Sequence, residues 1–183
     1  RDCMQDPVIR AFMDRALYEE IIPTLTLPEA ELTAFAGAVA DRFNNPYIDH
    51  ELLAIALNST SKWKARVLPS FKGYVAKYEK LPECLTASLA FYIAFYKGSR
   101  LEEKGLTGSR NGEEYTIRDE RFILEFYEAH KEDAPMTLAA AVLANRQFWG
   151  EDLTAYEGLV EKVAADLQTI ETAGAYELMK RCG

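Results

Sequence analysis

Apolar residues return every three or four positions along nearly the whole chain, and prolines and glycines cut that rhythm into runs of helical length. Asp6-Pro7 is a helix start, an N-cap followed by the proline that suits the first helical position. Ile9, Phe12, Met13, Ala16 and Leu17 then keep the helical spacing until Pro23 ends or kinks the run. Leu32, Phe35, Ala36 and Val39 form the next stripe, between Leu27-Pro28 and Asn44-Asn45-Pro46. A third helix is expected from about Asp49 to Thr60, and a short aromatic segment (Phe71, Tyr74, Tyr78) after Pro69. Behind Pro82 comes a run apolar on most sides, hence a core helix, with Gly98 as its C-cap. The spacing resumes at Asp119 with Phe122, Ile123, Phe126 and Tyr127, and again from Pro135 to Trp149. It closes with Leu153, Tyr156, Leu159, Val160, Val163 and Leu167, where Asp152 is the expected cap and Gly174 a break. Convincing strands are absent from the pattern. The expectation is an all-α fold, one multi-helix domain of about seven or eight helices.

Ser99–Ile117 is the long polar exception, with Gly105, Gly108 and Gly112. It reads as a solvated excursion, with room for a short β-hairpin around Tyr115–Ile117, and as remote from any chemistry.

The 183 residues carry a net charge of −8 and a pI near 4.9, which argues against a nucleic-acid binder. The cations Lys62, Lys64 and Arg66 are therefore a local departure. No apolar run is long enough to cross a membrane. Cys3, Cys84 and Cys182 are odd in number and widely spaced, which suggests free thiols in a reducing compartment, the cytoplasm. Cysteine and histidine lack zinc spacing, so no metal is expected. No glycine-rich phosphate loop occurs, and His130 reads as a surface residue at a helix end.

The stretch with most chemical content is Asn44–Ser70. Its apolar run Leu52–Leu57 reads as a buried helix and leads into Asn58-Ser59-Thr60-Ser61. His50, Ala54, Asn58 and Lys62 are spaced by four, which on a continuous helix makes one slowly winding face. Asn58 both donates and accepts hydrogen bonds and Lys62 adds positive charge, a combination suited to a hydroxylated, anionic small molecule. The competing reading is ordinary helix termination, with cations on the last carbonyls. If the residues after Ser61 were extended, Lys62, Lys64 and Arg66 would align instead.

The wording of this stretch, RFNNPYIDHELLAIALNSTSKWKARVLPS, resembles the C-terminal domain of the polyol-specific long-chain dehydrogenase/reductase family, as do Met4–Pro7 and Tyr18–Pro23. Ile55–Ser59 followed by Ser61-Lys62 is more similar to the tagaturonate-reducing branch than to the mannitol and fructuronate branches, which usually carry Asp-Gly where this chain has Asn58-Ser59. The resemblance implies an NAD-dependent sugar-acid oxidoreductase. In it an N-terminal Rossmann domain, expected upstream of Arg1, binds most of the NAD. The signature Lys-x4-Asn-x2-His, which carries catalysis, is not found in these residues, so no catalytic residue is expected in this chain. The resemblance also implies that Lys62, Asn58, His50 and, as second choices, Lys64 and Arg66 face a small sugar-acid substrate. In the mannitol branch an arginine eight residues before the lysine contacts the substrate; that position is Ala54 here. The alternatives are the same domain of a mannitol or fructuronate dehydrogenase, or a non-catalytic helical interaction domain. No nucleic-acid or membrane partner is expected.

Overall fold

A computed structural model describes residues 2–45, 47, 51–97, 100–110 and 112–183. The elements in chain order are α1 (Asp2–Gln5), α2 (Pro7–Arg15), α3 (Glu29–Phe43), α4 (Leu52–Ala56), α5 (Ser59–Lys62), α6 (Leu68–Tyr78) and α7 (Glu83–Tyr96). Strands β1 (Arg100–Glu102), β2 (Gly105–Arg110) and β3 (Glu113–Ile117) follow. The chain ends with α8 (Arg121–Ala129), α9 (Pro135–Ala144), α10 (Arg146–Trp149), α11 (Leu159–Ala173) and α12 (Ala175–Cys182).

The core helix is α7. Cys84, Leu85, Ala87, Leu89, Ala90, Ile93 and Tyr96 are buried around its whole circumference, as its unbroken apolar sequence requires. It packs against α11, which also packs against α9 and α12. Trp149, Phe71, Tyr127, Leu138, Leu143, Leu153 and Leu159 fill the space between these helices.

The starts and stops follow local chemistry. The Asp6 carboxylate accepts from the Val8 and Ile9 amides at 2.9 and 3.1 Å, capping α2. Asn145 splits the expected Pro135–Trp149 run by accepting from Gln147 and Phe148 at 3.0 and 3.2 Å, which starts α10. Asp152 caps the 3-10 turn Leu153–Ala155 rather than α11. Such breaks divide the expected seven or eight runs into more, shorter pieces. The start of α7 is capped from far away: the buried Glu20 carboxylate accepts from the Cys84 and Leu85 amides, both at 2.8 Å. The fold thus brings an anion to the positive end of its central helix. Gly98, the expected C-cap of α7, lies outside the described residues.

The polar stretch after α7 holds the hairpin expected around Tyr115–Ile117 but differs from its sequence reading in being packed rather than solvated. It forms a three-stranded antiparallel sheet in the order β1-β2-β3. Leu106 pairs directly with Ile117, and both side chains are buried in the core. Gly105 starts β2 with φ +150, and a Cβ there would lie 2.2 Å from the Ile117 carbonyl oxygen, so the register requires glycine. The stretch is therefore a packed element that helps close the core over α8, not a solvated excursion.

Candidate functional site

The segment Leu52–Val67 holds most of the candidate residues, and its backbone is not one helix. α4 stops at Leu57, and Asn58 adopts the left-handed conformation (φ 56, ψ 45), which asparagine tolerates better than most residues. α5 then begins and passes into a π-helical turn over Trp63–Val67. The expected continuous face through Ala54, Asn58 and Lys62 is therefore broken at Asn58. The expectation that the Leu52–Leu57 run is buried is also corrected, because Leu52, Leu53, Ile55 and Leu57 are all exposed in this chain. His50 lies outside the described residues.

Three side chains fasten the segment from inside. Trp63 is buried, its indole N–H donates to the Ser88 hydroxyl at 2.9 Å, and its ring meets Trp149 edge-on at 5.4 Å. Leu68 is buried at the start of α6. Thr60 is buried, and its hydroxyl shares a hydrogen bond with the Tyr92 hydroxyl at 2.7 Å and lies 3.4 Å from Asp119 Oδ2. The Tyr96 hydroxyl donates to the same Asp119 oxygen. The buried Tyr127 hydroxyl, whose ring stacks on Tyr96 at 4.7 Å, has no hydrogen-bond partner among the described residues. Burial pushes the Tyr92, Tyr96 and Tyr127 phenols upward, so these hydroxyls stay protonated across the physiological range. The sequence reading missed this polar cluster, because its members come from four separated elements. The signal that could have found it was the aromatic density of α7 and α8, which hold Tyr92, Tyr96 and Tyr127.

The cations point elsewhere. The Lys62 ammonium donates to the Ile55 carbonyl at 2.8 Å, reaching back across the Asn58 break to the end of α4. The Lys64 ammonium lies against Gly150, 3.3 Å from where a Cβ on that residue would sit. Arg66 is exposed one turn beyond Lys62. Because the segment is helical, Lys62, Lys64 and Arg66 do not line up as an extended strand would place them. Asn58 is exposed, and its carbonyl accepts from the Ser61 hydroxyl at 3.1 Å. The segment therefore leaves Asn58, Lys64 and Arg66 exposed and Lys62 half-buried, while Thr60 and Trp63 hold it from within.

Among the described residues, no group of three or more His, Cys, Asp or Glu side chains is placed to hold a metal ion. The sheet of the described residues is antiparallel, with no β-α-β crossover whose helix start could cradle a dinucleotide pyrophosphate. His130 Nδ1 lies 2.7 Å from Asp133, an ordinary partnership at a helix end.

The chain is similar to known proteins along nearly its whole length. Altronate oxidoreductases of Escherichia coli strains O139:H28 and O9:H4 are each 43% identical over 185 residues. The match takes in 98% of this chain and 36% of each relative, so the chain spans little more than a third of the length of these relatives. The solved ternary complex of Pseudomonas fluorescens mannitol 2-dehydrogenase with NAD and D-mannitol superposes with a TM-score of 0.81 at 22% identity, over 97% of this chain and 34% of that one. It shares the helical fold. The mannitol dehydrogenase C-terminal domain family matches residues 1–171, and the chain belongs to that family.

Proposed function

We propose that this chain is the substrate-side helical domain of an NAD-dependent sugar-acid oxidoreductase that reduces tagaturonate to altronate. The observation that carries the reading is the 43% identity to altronate oxidoreductases across 98% of the chain. Ala54, where the mannitol branch carries a substrate-binding arginine, fits a substrate other than mannitol. NADH supplies the hydride. The described residues form no β-α-β cradle for it, and in this reading its site and the acid–base residues lie in an N-terminal part such as the longer relatives have room for.

The contribution of this chain is to hold and orient the sugar acid. Lys62 sits at a break between two short helices, and its ammonium already engages an oxygen, the Ile55 carbonyl. A substrate carboxylate or hydroxyl replaces that carbonyl as acceptor when it enters beside the break. Asn58 adds an amide that donates and accepts toward hydroxyls. Arg66, one turn on, adds a second positive charge. The buried anchors Thr60 and Trp63 hold this short segment in place.

The Ile55 contact also supports a second reading of Lys62, as a plain cap on α4. Kinetics of the full-length enzyme separate the two. A charge-assisted hydrogen bond to substrate is worth about 1.5–3 kcal/mol, so Lys62→Ala lowers kcat/KM for tagaturonate roughly ten- to a hundred-fold. A cap on carbonyls is worth only about 0.3–1 kcal/mol of stability and leaves kinetics alone. Lys72→Ala, which removes a surface pair with Glu151 at 2.7 Å, is the control and changes neither. Unchanged kcat/KM in Lys62→Ala assigns the lysine to the cap. Reduction of fructuronate or fructose in preference to tagaturonate places the enzyme in a sister branch.

A further inference from the structure

α5 is four residues long, too short to hold its own place, and it starts at the left-handed Asn58 with no side-chain cap. Thr60 is its one buried residue. Lys62 stands two residues further on, so the place of its ammonium depends on what holds Thr60 and, downstream, Trp63. Trp63 is held by aromatic packing and by the Ser88 hydroxyl. Thr60 is held by the Tyr92 hydroxyl and by one carboxylate, that of Asp119.

Both oxygens of that carboxylate are engaged. Oδ1 accepts from the Glu120 amide at 2.8 Å, at the start of α8. Oδ2 accepts from the Tyr96 hydroxyl of α7 and lies 3.4 Å from the Thr60 hydroxyl of α5. Hydroxyls alone have no fixed direction of donation, because each can both donate and accept. A carboxylate only accepts. Thr60 therefore donates toward Asp119 and accepts from Tyr92, 2.7 Å away. Asp119 is the one charged side chain of the cluster, and three elements, α5, α7 and α8, meet at it. Hydrogen bonds to a charged acceptor are the stronger kind, so this carboxylate sets a single arrangement for the hydroxyls around it.

We propose that Asp119 is a positioning residue for Lys62: acting through Thr60, its carboxylate holds α5 in the orientation that presents the Lys62 ammonium to substrate. The inference rests on the functional reading above and adds to it a residue that acts without touching substrate. A displacement of about 1 Å is enough to cost a catalytic contact much of its effect.

The test uses the full-length enzyme and two variants that cut the link from opposite ends, Asp119→Asn and Thr60→Val. Asp119→Asn keeps the side-chain shape and removes the charge that sets the direction. Amide hydrogen exchange reads the hold on α5 without turnover. The Lys62 amide donates to the Asn58 carbonyl at 3.1 Å, while α11, the reference, packs against α7, α9 and α12. Exchange at Lys62 and Trp63 rises about tenfold relative to α11 in either variant. In kinetics, KM for tagaturonate rises and KM for NADH stays the same. The fall in kcat/KM is about tenfold, inside the roughly ten- to hundred-fold loss expected of Lys62→Ala. Added to Lys62→Ala, Asp119→Asn leaves kcat/KM where the first substitution put it, because no ammonium remains to be placed. Losses that multiply, or that fall on kcat alone in both backgrounds, show general damage to the fold and overturn the proposal. Unchanged exchange at Lys62 and Trp63 overturns it as well. If Asp119→Asn does not fold, the same criteria apply to Thr60→Val, which leaves Asp119 with Tyr96. Raised exchange together with a fully active Lys62→Ala enzyme keeps Asp119 as the holder of α5 and removes the substrate reading of Lys62. A weakened Lys62→Ala enzyme in which neither variant loosens α5 does the reverse.

Discussion

Thr60→Val removes one hydroxyl at the centre of the buried cluster and leaves the side-chain shape nearly unchanged. The Tyr92 hydroxyl, buried 2.7 Å from Thr60, then loses the partner shown here, while Asp119 keeps Tyr96. An orphaned buried hydroxyl costs about 1–3 kcal/mol, so Thr60→Val destabilises the fold by that amount. Tyr92→Phe removes the other half. It leaves the Thr60 hydroxyl with only the longer approach to Asp119 at 3.4 Å, so it too destabilises. The double variant leaves neither group stranded. Its cost is therefore smaller than the sum of the two by a coupling of about 1 kcal/mol. Trp63 and Trp149, both buried and in edge contact, make intrinsic fluorescence a direct reporter of this region during urea unfolding. The midpoint should move while the slope stays constant. Additive single variants, or a Thr60→Val cost below about 0.5 kcal/mol, refute the claim that this hydrogen bond holds the segment.

Two further outcomes follow from other buried groups. Glu20→Ala strands the Cys84 and Leu85 amides at the positive end of α7 and costs about 3 kcal/mol or more in the same urea assay; a cost within experimental error shows that water caps the helix instead. The Cys84 thiol is pushed up from 9.0 to about 12, first by burial and then by Glu20. The unfolded chain loses this proton at lower pH than the folded one, so the stabilisation is complete below pH 9 and drains away between pH 9 and about 12. Thiol labelling at pH 8 should therefore modify Cys3, which is half-buried, well before Cys84 or Cys182, which are buried; equal rates at all three contradict the packing.

The helices were legible because burial on one face imposes a period of three to four, and Asp6-Pro7, Pro82 and Gly174 mark their ends in local chemistry. The packing of the sheet was not. Its two core residues, Leu106 and Ile117, are diluted among glycines and charges, and only their pairing across β2 and β3 makes them a buried unit. Asn58 was legible as a polar residue at useful spacing, yet its left-handed backbone, which redirects everything after it, leaves no periodic trace. The apolar run of α4 reads as buried, yet its large side chains are exposed in this chain, because a hydrophobic pattern records apolar character and not a packing partner. The tyrosine cluster stayed hidden for the same reason that Glu20 did, since each depends on contacts between distant parts of the chain.

The Glu20 cap ties the order of folding to the topology. A helix normally completes its first turn with a capping group two or three residues away, on the timescale of local motion. Here the two amides that open the central helix wait for a carboxylate 64 and 65 positions earlier, which arrives only when the N-terminal segment has closed a long loop. The core helix and the N-terminal segment are thereby made into one cooperative unit, in which neither end is finished before the other. Fraying of the segment around Glu20 would be felt first at Cys84, deep in the protein, rather than at the surface where the fraying began.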